Sequence, residues 1–206
     1  MTRNSDLPAV NDQPSIDPRE LRNTFGRFAT GVTVVTCRAK DGTPHGATVN
    51  AFTAVSLDPP LAQVTLTRSS RAAQYLEDAP FTINILAQDQ LDAAWHFAGK
   101  PLPRPPEWQL DGNVPVLVGN AATLECLPWK IYDGGDHVIV VGQVRKLEIT
   151  EREPLLFFGG KFREIGPLSG PSPWHHSGDS LETGWFSGAD AFKPLTSARP
   201  LKGPDR

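Results

Sequence analysis

Few cysteines, no long apolar run and no strong bias of charge mark this chain, and each shortage excludes a class of protein. Cys37 and Cys126 are the only thiols in 206 residues, too few and too far apart for a disulfide framework or a cysteine-rich zinc site. That usage suits a reducing compartment, so a cytoplasmic location is expected. No run of about 18 apolar residues occurs, and the opening MTRNSDLPAVNDQPS lacks the apolar stretch of a secretory signal. Neither a membrane span nor export is expected. The net charge of −3 comes without a Lys/Arg cluster, so nothing supplies the phosphate-neutralising stripe that nucleic-acid binding needs.

Common catalytic signatures are missing as well. No Gly-rich loop of the dinucleotide or Walker type opens a helix, and no serine sits in a nucleophile elbow. His175, His176 and Asp179 are metal-ligating residue types, but they lie in a Gly/Ser-rich tail where a solvated segment is the expectation, and no metal site is assigned.

What is present reads as one domain with appended ends: a polar arm over 1–15, a domain over 16–166 and an extension over 167–206. Asp17-Pro18-Arg19-Glu20 has the N-cap, N1 and N3 residues of a helix start, with Ile16 and Leu21 as a staple. Leu21, Phe25, Phe28 and Ala29 share a helical face, and Gly31 is placed to end it. Val32 to Thr36 is β-branched, Lys40 to Thr43 has turn chemistry, and a return run continues from His45 to the break at Asp58-Pro59-Pro60. Strands follow at Leu61–Leu66, Phe81–Leu86, Ala122–Leu127, His137–Leu147 and, last, Leu155–Phe158. Short helices fall near Ala72–Leu76 and at Asp89–Phe97, where Leu91, Ala94, Trp95 and Ala98 share a face. Gly99 to Pro115 carries too many prolines for a packed element, and long loops of this kind often serve as lids or specificity segments. The extension holds Trp174, Trp185, Phe186 and Phe192, unusually apolar for a loose end, so it is expected to wrap over a surface. Six or seven short strands with two or three helices favour a mainly β (α+β) antiparallel barrel with peripheral helices over a doubly wound sheet.

The return run has an odd lining. Thr48, Asn50, Thr53 and Ser56 set small uncharged hydrogen-bonding groups among Val49, Phe52 and Val55 where a core strand would alternate apolar with charged residues. Arg68-Ser69-Ser70-Arg71 concentrates hydroxyls, backbone donors and two guanidinium groups in one turn. It suits a phosphate, or is a plain solvated loop. Gly134-Gly135-Asp136-His137 leads into an apolar strand. Its histidine either offers one ring nitrogen to a ligand while Asp136 holds the other, or is a packed imidazole beside a capping carboxylate.

Taken in order, RFATGVTVVT from Arg27, DGTPHGATVNAFTAVSLDPPL from Asp41, RSS from Arg68, FTINILAQDQ from Phe81, FAGK from Phe97, GDHVIVVGQV from Gly135 and PLLFFGGKFREIG from Pro154 resemble the flavin reductase-like family. The resemblance covers about 17–166. It implies an antiparallel split β-barrel of the FMN-binding type, and an NAD(P)H:flavin oxidoreductase that takes hydride from NADH or NADPH to FMN or FAD. Such an enzyme supplies reduced flavin to a partner monooxygenase and commonly forms a homodimer. The resemblance matches Thr30, Gly31, Val32 and Thr33 to a first flavin-contacting segment, and Thr48, Val49, Asn50, Ala51 and Phe52 to the strand along the flavin ring. Ser56 and Leu57 continue that contact, and Arg68, Ser69 and Ser70 match a turn near the flavin phosphate. His137 matches a histidine facing the nicotinamide, and Phe162 an aromatic near the same pocket. A flavoprotein that keeps its flavin and reduces another acceptor, and a flavin carrier without hydride transfer, are the alternatives.

Overall fold

A computed structural model of the chain describes residues 16–110, 112 and 114–167. The arm over 1–15 and the extension from 168 onward, with Trp174, Trp185, Phe186, Phe192 and the His175–His176–Asp179 group, lie outside the described residues. One compact unit ends at Ile165.

The helix start is as its capping residues dictate. Helix α1 spans Pro18–Phe25, with Asp17 Oδ1 accepting from the Arg19 amide at 2.9 Å and Pro18 in the first turn. It stops at Gly26 rather than Gly31, because the next residues unwind through turns to Thr30 and join a sheet. Gly31 belongs to strand β1 (Thr30–Gly31), paired antiparallel with β11 (Leu156–Phe158). None of the α1 residues is buried, and Phe25 and Phe28 stand 68% and 78% exposed. The apolar face read from the sequence therefore faces outward within one copy of the chain.

Strands β2 (Thr33–Arg38) and β3 (Pro44–Val49) form the expected hairpin. Gly42 takes the positive φ of 86° that its turn needs, and Asp41 Oδ1 accepts from the Thr43 amide at 2.9 Å. The run beyond is not one strand. It breaks at Asn50-Ala51 and resumes as β4 (Phe52–Leu57), which turns back at Asp58-Pro59 into β5 (Pro60–Thr67). A single 3₁₀ turn (Ala72–Gln74) leads to β6 (Phe81–Ile85) and helix α2 (Leu91–Phe97). On α2 the buried residues are Ala93 and Ala94, whereas Leu91 and Trp95 are each 37% exposed. Two short strands, β7 (Trp108–Gln109) and β8 (Val116–Leu117), pair across the proline-rich segment. The long hairpin β9 (Ala122–Gly134) and β10 (His137–Ile149) follows, then β11. The Gly159-Gly160 turn leads into one further strand that the sequence pattern did not suggest, β12 (Lys161–Arg163).

The strand order β3-β2-β6-β9-β10-β5-β4 explains the architecture. Laid flat, seven strands would put β3 and β4 about 29 Å apart at ~4.8 Å per strand pair. Two residues join them, and the span from Val49 to Phe52 reaches at most about 11 Å. The sheet must therefore curl until its edges meet. They approach without pairing along their length, with the Thr65 amide donating to Ala51 O at 3.0 Å beside the crossing. The result is an antiparallel barrel split at Asn50-Ala51.

Both faces of β2 are covered. Val35 and Cys37 join Val64, Leu66, Leu76, Phe81, Ile83 and Val140 in one core, and Val32 and Val34 join Leu86, Ala93, Ala94, Leu117 and Leu155 in a second. The proline-rich segment is fastened rather than loose. Fully buried Asn84 donates to Val34 O and Thr36 Oγ1 and accepts from the Leu117 amide and Asn120 Nδ2, all at 2.8–3.0 Å. Thr36 Oγ1 donates to Pro115 O, and the Leu102 amide donates to His96 Nδ1 at 3.0 Å. These bonds to Pro115, Leu117 and Leu102 anchor both ends of the segment, since each unmade buried bond would be costly.

Candidate functional site

The split leaves three adjoining cavities of about 620, 610 and 410 Å³, and Asn50 lines all of them. The first holds Thr48, Val49, Asn50, Ala51, Ser70 and His137, with Phe97 and Phe25 as aromatic walls. The third is lined by Thr30, Gly31, Thr33 and Phe52, and Thr30 also reaches the second. Residues from four separate sequence blocks thus converge on one cleft.

The end of the cleft near His137 is built by two turns stitched together. Strands β5 and β10 pair with His137 opposite Thr67, so the Arg68–Ser70 turn lies against the β9–β10 turn. The Arg68 amide donates to Asp136 O at 3.1 Å, and its side chain donates to Gly135 O at 2.7 Å and to Asp133 Oδ2 at 2.8 Å. The guanidinium expected near a phosphate is therefore largely committed to holding the hairpin turn. Asp133 also accepts from the Gly135 amide. That bond first, and the Arg68 charge second, hold its carboxyl below the usual carboxylate range.

His137 Nδ1 lies 2.6 Å from Asp136 Oδ1. With Asp136 ionised, Nδ1 is the protonated nitrogen of the neutral ring, which leaves Nε2 as the acceptor. The hydrogen bond from His137 is the main cause that lowers Asp136, followed by the histidine's charge. His137 is neither a packed core imidazole nor fully open. Its side chain is 37% exposed at the cleft edge.

Other predicted positions differ in what they offer. Thr33 Oγ1 donates to Val49 O and Thr48 Oγ1 to Ala94 O, each at 2.7 Å, so their protons are spent and they present lone pairs. Thr30 Oγ1 is buried with no partner among the described residues, a hydroxyl waiting for an acceptor at the cleft wall. Asn50 and Ala51 are exposed.

Five expected residues are not on the cleft wall, and Ser69 lies beside it. Val32 is 1% exposed in the second core, and its amide and carbonyl are bonded to Leu155 and Leu86, so its side chain is a packing element. Ser56 and Leu57 lie at the opposite end of β4, about 20 Å from Asn50 at ~3.3 Å per strand residue. Arg68 faces the β9–β10 turn, and Ser69 is beside it with only a 3.5 Å contact to Thr67 Oγ1. Phe162 packs edge-on against Trp95 and Phe157, behind the cleft. Sequence reasoning gave no role to Phe25, Arg22 or Arg27, which line the second cavity. Their place in the last turn of a short helix and the turn after it carries no signal. The proline-rich segment lines a separate cavity of about 220 Å³, which shares no residue with the three around Asn50.

Among the described residues, no group of three metal-ligating side chains is present, and no helix is long and apolar enough to cross a membrane.

Residues 25–166 match the model of the flavin reductase like domain. The chain is 40% identical over 166 residues to an NADH-dependent flavin reductase of a Rhodococcus species, which covers 78% of this chain and 94% of that protein. It is 36% identical over 174 residues to HsaB, the reductase subunit of a flavin-dependent monooxygenase of Rhodococcus jostii, covering 82% and 87% of the two chains. Among solved structures it is similar to the NADH:FAD oxidoreductase SgcE6 of Streptomyces globisporus, with a TM-score of 0.68, 35% identity and coverage of 80% of this chain and 98% of that one.

Proposed function

The chain belongs to the flavin reductase like domain family, and from that premise we propose that it transfers hydride from NADH or NADPH to FMN or FAD and hands the reduced flavin to a partner monooxygenase. The observation that carries this reading is the convergence of Thr30, Thr48–Ala51, Ser70 and His137 on the split of the barrel.

The residues present fit a flavin. The unpartnered Thr30 hydroxyl can donate to a ring carbonyl, the free Asn50 amide can donate and accept, and the spent hydroxyls of Thr33 and Thr48 can accept. Phe25 and Phe97 supply apolar walls, and among the described residues no carboxylate lines the three cavities to set a negative charge beside the ring. When bound, the flavin and the nicotinamide supply the hydride chemistry themselves. The protein's share is to orient the rings and exclude water. His137, held by Asp136 through Nδ1, presents Nε2 at the cleft edge and is assigned to position the nicotinamide. Ser70 is assigned to the flavin phosphate.

A homodimer suits the exposed apolar surface around the cleft, since Phe25 and Phe28 are 68% and 78% exposed in one copy. The two unpaired thiols fit a cytoplasmic home.

A steady-state assay crossing NADH and NADPH with FMN, FAD and riboflavin tests the reading. Nicotinamide oxidation that depends on added flavin supports it, and no oxidation with any pair rejects it. Stoichiometric flavin that survives gel filtration would move the protein to the class that reduces another acceptor.

A further inference from the structure

We propose that Arg22 and Arg27 form an anion site for the phosphate groups of a nucleotide cofactor in the cleft, an inference that rests on the function proposed above. Both side chains line the cavity of about 610 Å³, which shares Phe25 and Asn50 with the cavity that holds His137. Apart from His137, they are the only ionisable residues on the walls of the three cavities around Asn50, among the described residues. The chain carries a net charge of −3, yet among the described residues this cleft is lined by two positive charges and no carboxylate. A cavity with one sign of charge concentrates the opposite sign in its ligand.

Of the eight other described arginines none lines these three cavities, and four are committed elsewhere, whereas Arg19, Arg71, Arg104 and Arg163 are as uncommitted as this pair but lie away from the cleft. Arg68 is spent on Gly135 O and Asp133, Arg38 on Gly42 O and Leu110 O, Arg145 on Gln143 and Arg152 on Asp89. Neither Arg22 nor Arg27 donates a side-chain hydrogen bond or forms an ion pair among the described residues. The Arg22 charge is also the smallest of the influences that lower the Asp136 carboxyl. Two uncommitted forks lining one cavity suit phosphate oxygens, which guanidinium groups bind in pairs of parallel bonds. The Gly159-Gly160 turn lines the same cavity without side chains.

A phosphate in this place comes either from the flavin's phosphate or from the nicotinamide nucleotide's diphosphate, and one variant separates the two. In R22Q/R27Q, the dissociation constants of FMN and of riboflavin, which lacks the phosphate, are measured by flavin fluorescence, and KM and kcat for NADH by steady-state oxidation. If the pair holds the nicotinamide nucleotide, KM for NADH rises roughly tenfold with kcat and both flavin affinities near wild type. If it holds the flavin's phosphate, FMN binding weakens roughly tenfold while riboflavin binding does not. In either case R22K/R27K recovers part of the loss, and raising the salt shrinks the difference from wild type. The inference is overturned if FMN affinity and NADH KM both stay within about twofold of wild type, or if riboflavin weakens as much as FMN. A wild-type protein that oxidises no nicotinamide rejects the proposed reaction instead, and the FMN-against-riboflavin comparison still decides the arginines.

Discussion

Replacing Asn50 by Leu separates a ligand-contacting role from a structural one. Asn50 is exposed, makes no side-chain hydrogen bond among the described residues, and lines all three cavities at the two-residue crossing of the split. Its amide therefore supports nothing within the chain, and the unfolding free energy of Asn50→Leu should stay within about 0.5 kcal/mol of wild type. In the flavin complex, the same change removes one neutral hydrogen bond of about 0.5–1.5 kcal/mol, which raises the dissociation constant roughly twofold to tenfold. Asn50→Ala, which adds no apolar bulk, should fall in the same range. Thr48→Val is the contrasting case, because the Thr48 hydroxyl donates to Ala94 O at 2.7 Å and fastens α2 to β3. It should cost about 1 kcal/mol of stability as well as affecting flavin. Fluorescence titration with FMN and FAD reads the binding, and urea unfolding with matched m-values reads the stability. Unchanged flavin affinity in Asn50→Leu, or a stability loss above about 1 kcal/mol, would refute the reasoning and return this stretch to the core.

Two further perturbations test the packing. A Cβ at Gly46 would sit 2.6 Å from Phe97 Cδ1, so Gly46→Ala should displace a wall of the cleft, costing about 1–3 kcal/mol of stability and weakening flavin binding. A Cβ at Gly142 would meet Phe81 Cζ at 2.5 Å and Cys126 Cβ at 2.8 Å, so Gly142→Ala should destabilise at least as much while leaving the flavin affinity of the folded fraction unchanged. Urea unfolding and FMN titration distinguish the two; equal binding defects would undo the distinction. Burial pushes the Cys37 thiol up to about 11 and, together with the charge of Glu125, the Cys126 thiol up to about 12. At pH 8 only about one part in a thousand of Cys37 is then thiolate, so neither thiol should react with an alkylating reagent until the protein is denatured. Rapid labelling of either thiol in the folded protein would contradict this.

The legible parts of the fold are those whose signal is local. Asp17-Pro18 starts α1, Lys40–Thr43 turns the first hairpin and the β-branched run over Val32–Thr36 makes its first strand, because caps, turns and branched side chains act within a few residues. Where α1 ends is not legible locally, since Gly26 and Gly31 both suit a helix end and only the pairing of Thr30 with Phe157 decides between them. The break at Asn50-Ala51 is invisible for the same reason. Nothing in ATVNAFTAV forbids one continuous strand; the turn is imposed by β3 and β4 lying at opposite edges of one sheet.

The site divides in the same way. Composition put uncharged hydrogen-bonding groups at Thr30, Thr48, Asn50 and Ser70 and set Asp136 beside His137, and the order of the blocks pointed to the family. Which of these groups are free is a tertiary matter. Folding spends the Thr33 and Thr48 protons on backbone carbonyls, ties Arg68 to Asp133, sends Phe162 behind the cleft and leaves Thr30 Oγ1 without a partner. It also carries Arg22 and Arg27, unremarkable in a helix's last turn and the turn beyond it, to the wall of the cleft. A sequence lists the donors and charges a chain owns; hydrogen bonding and burial in the folded state decide which remain for a ligand, because each is set by neighbours distant along the chain.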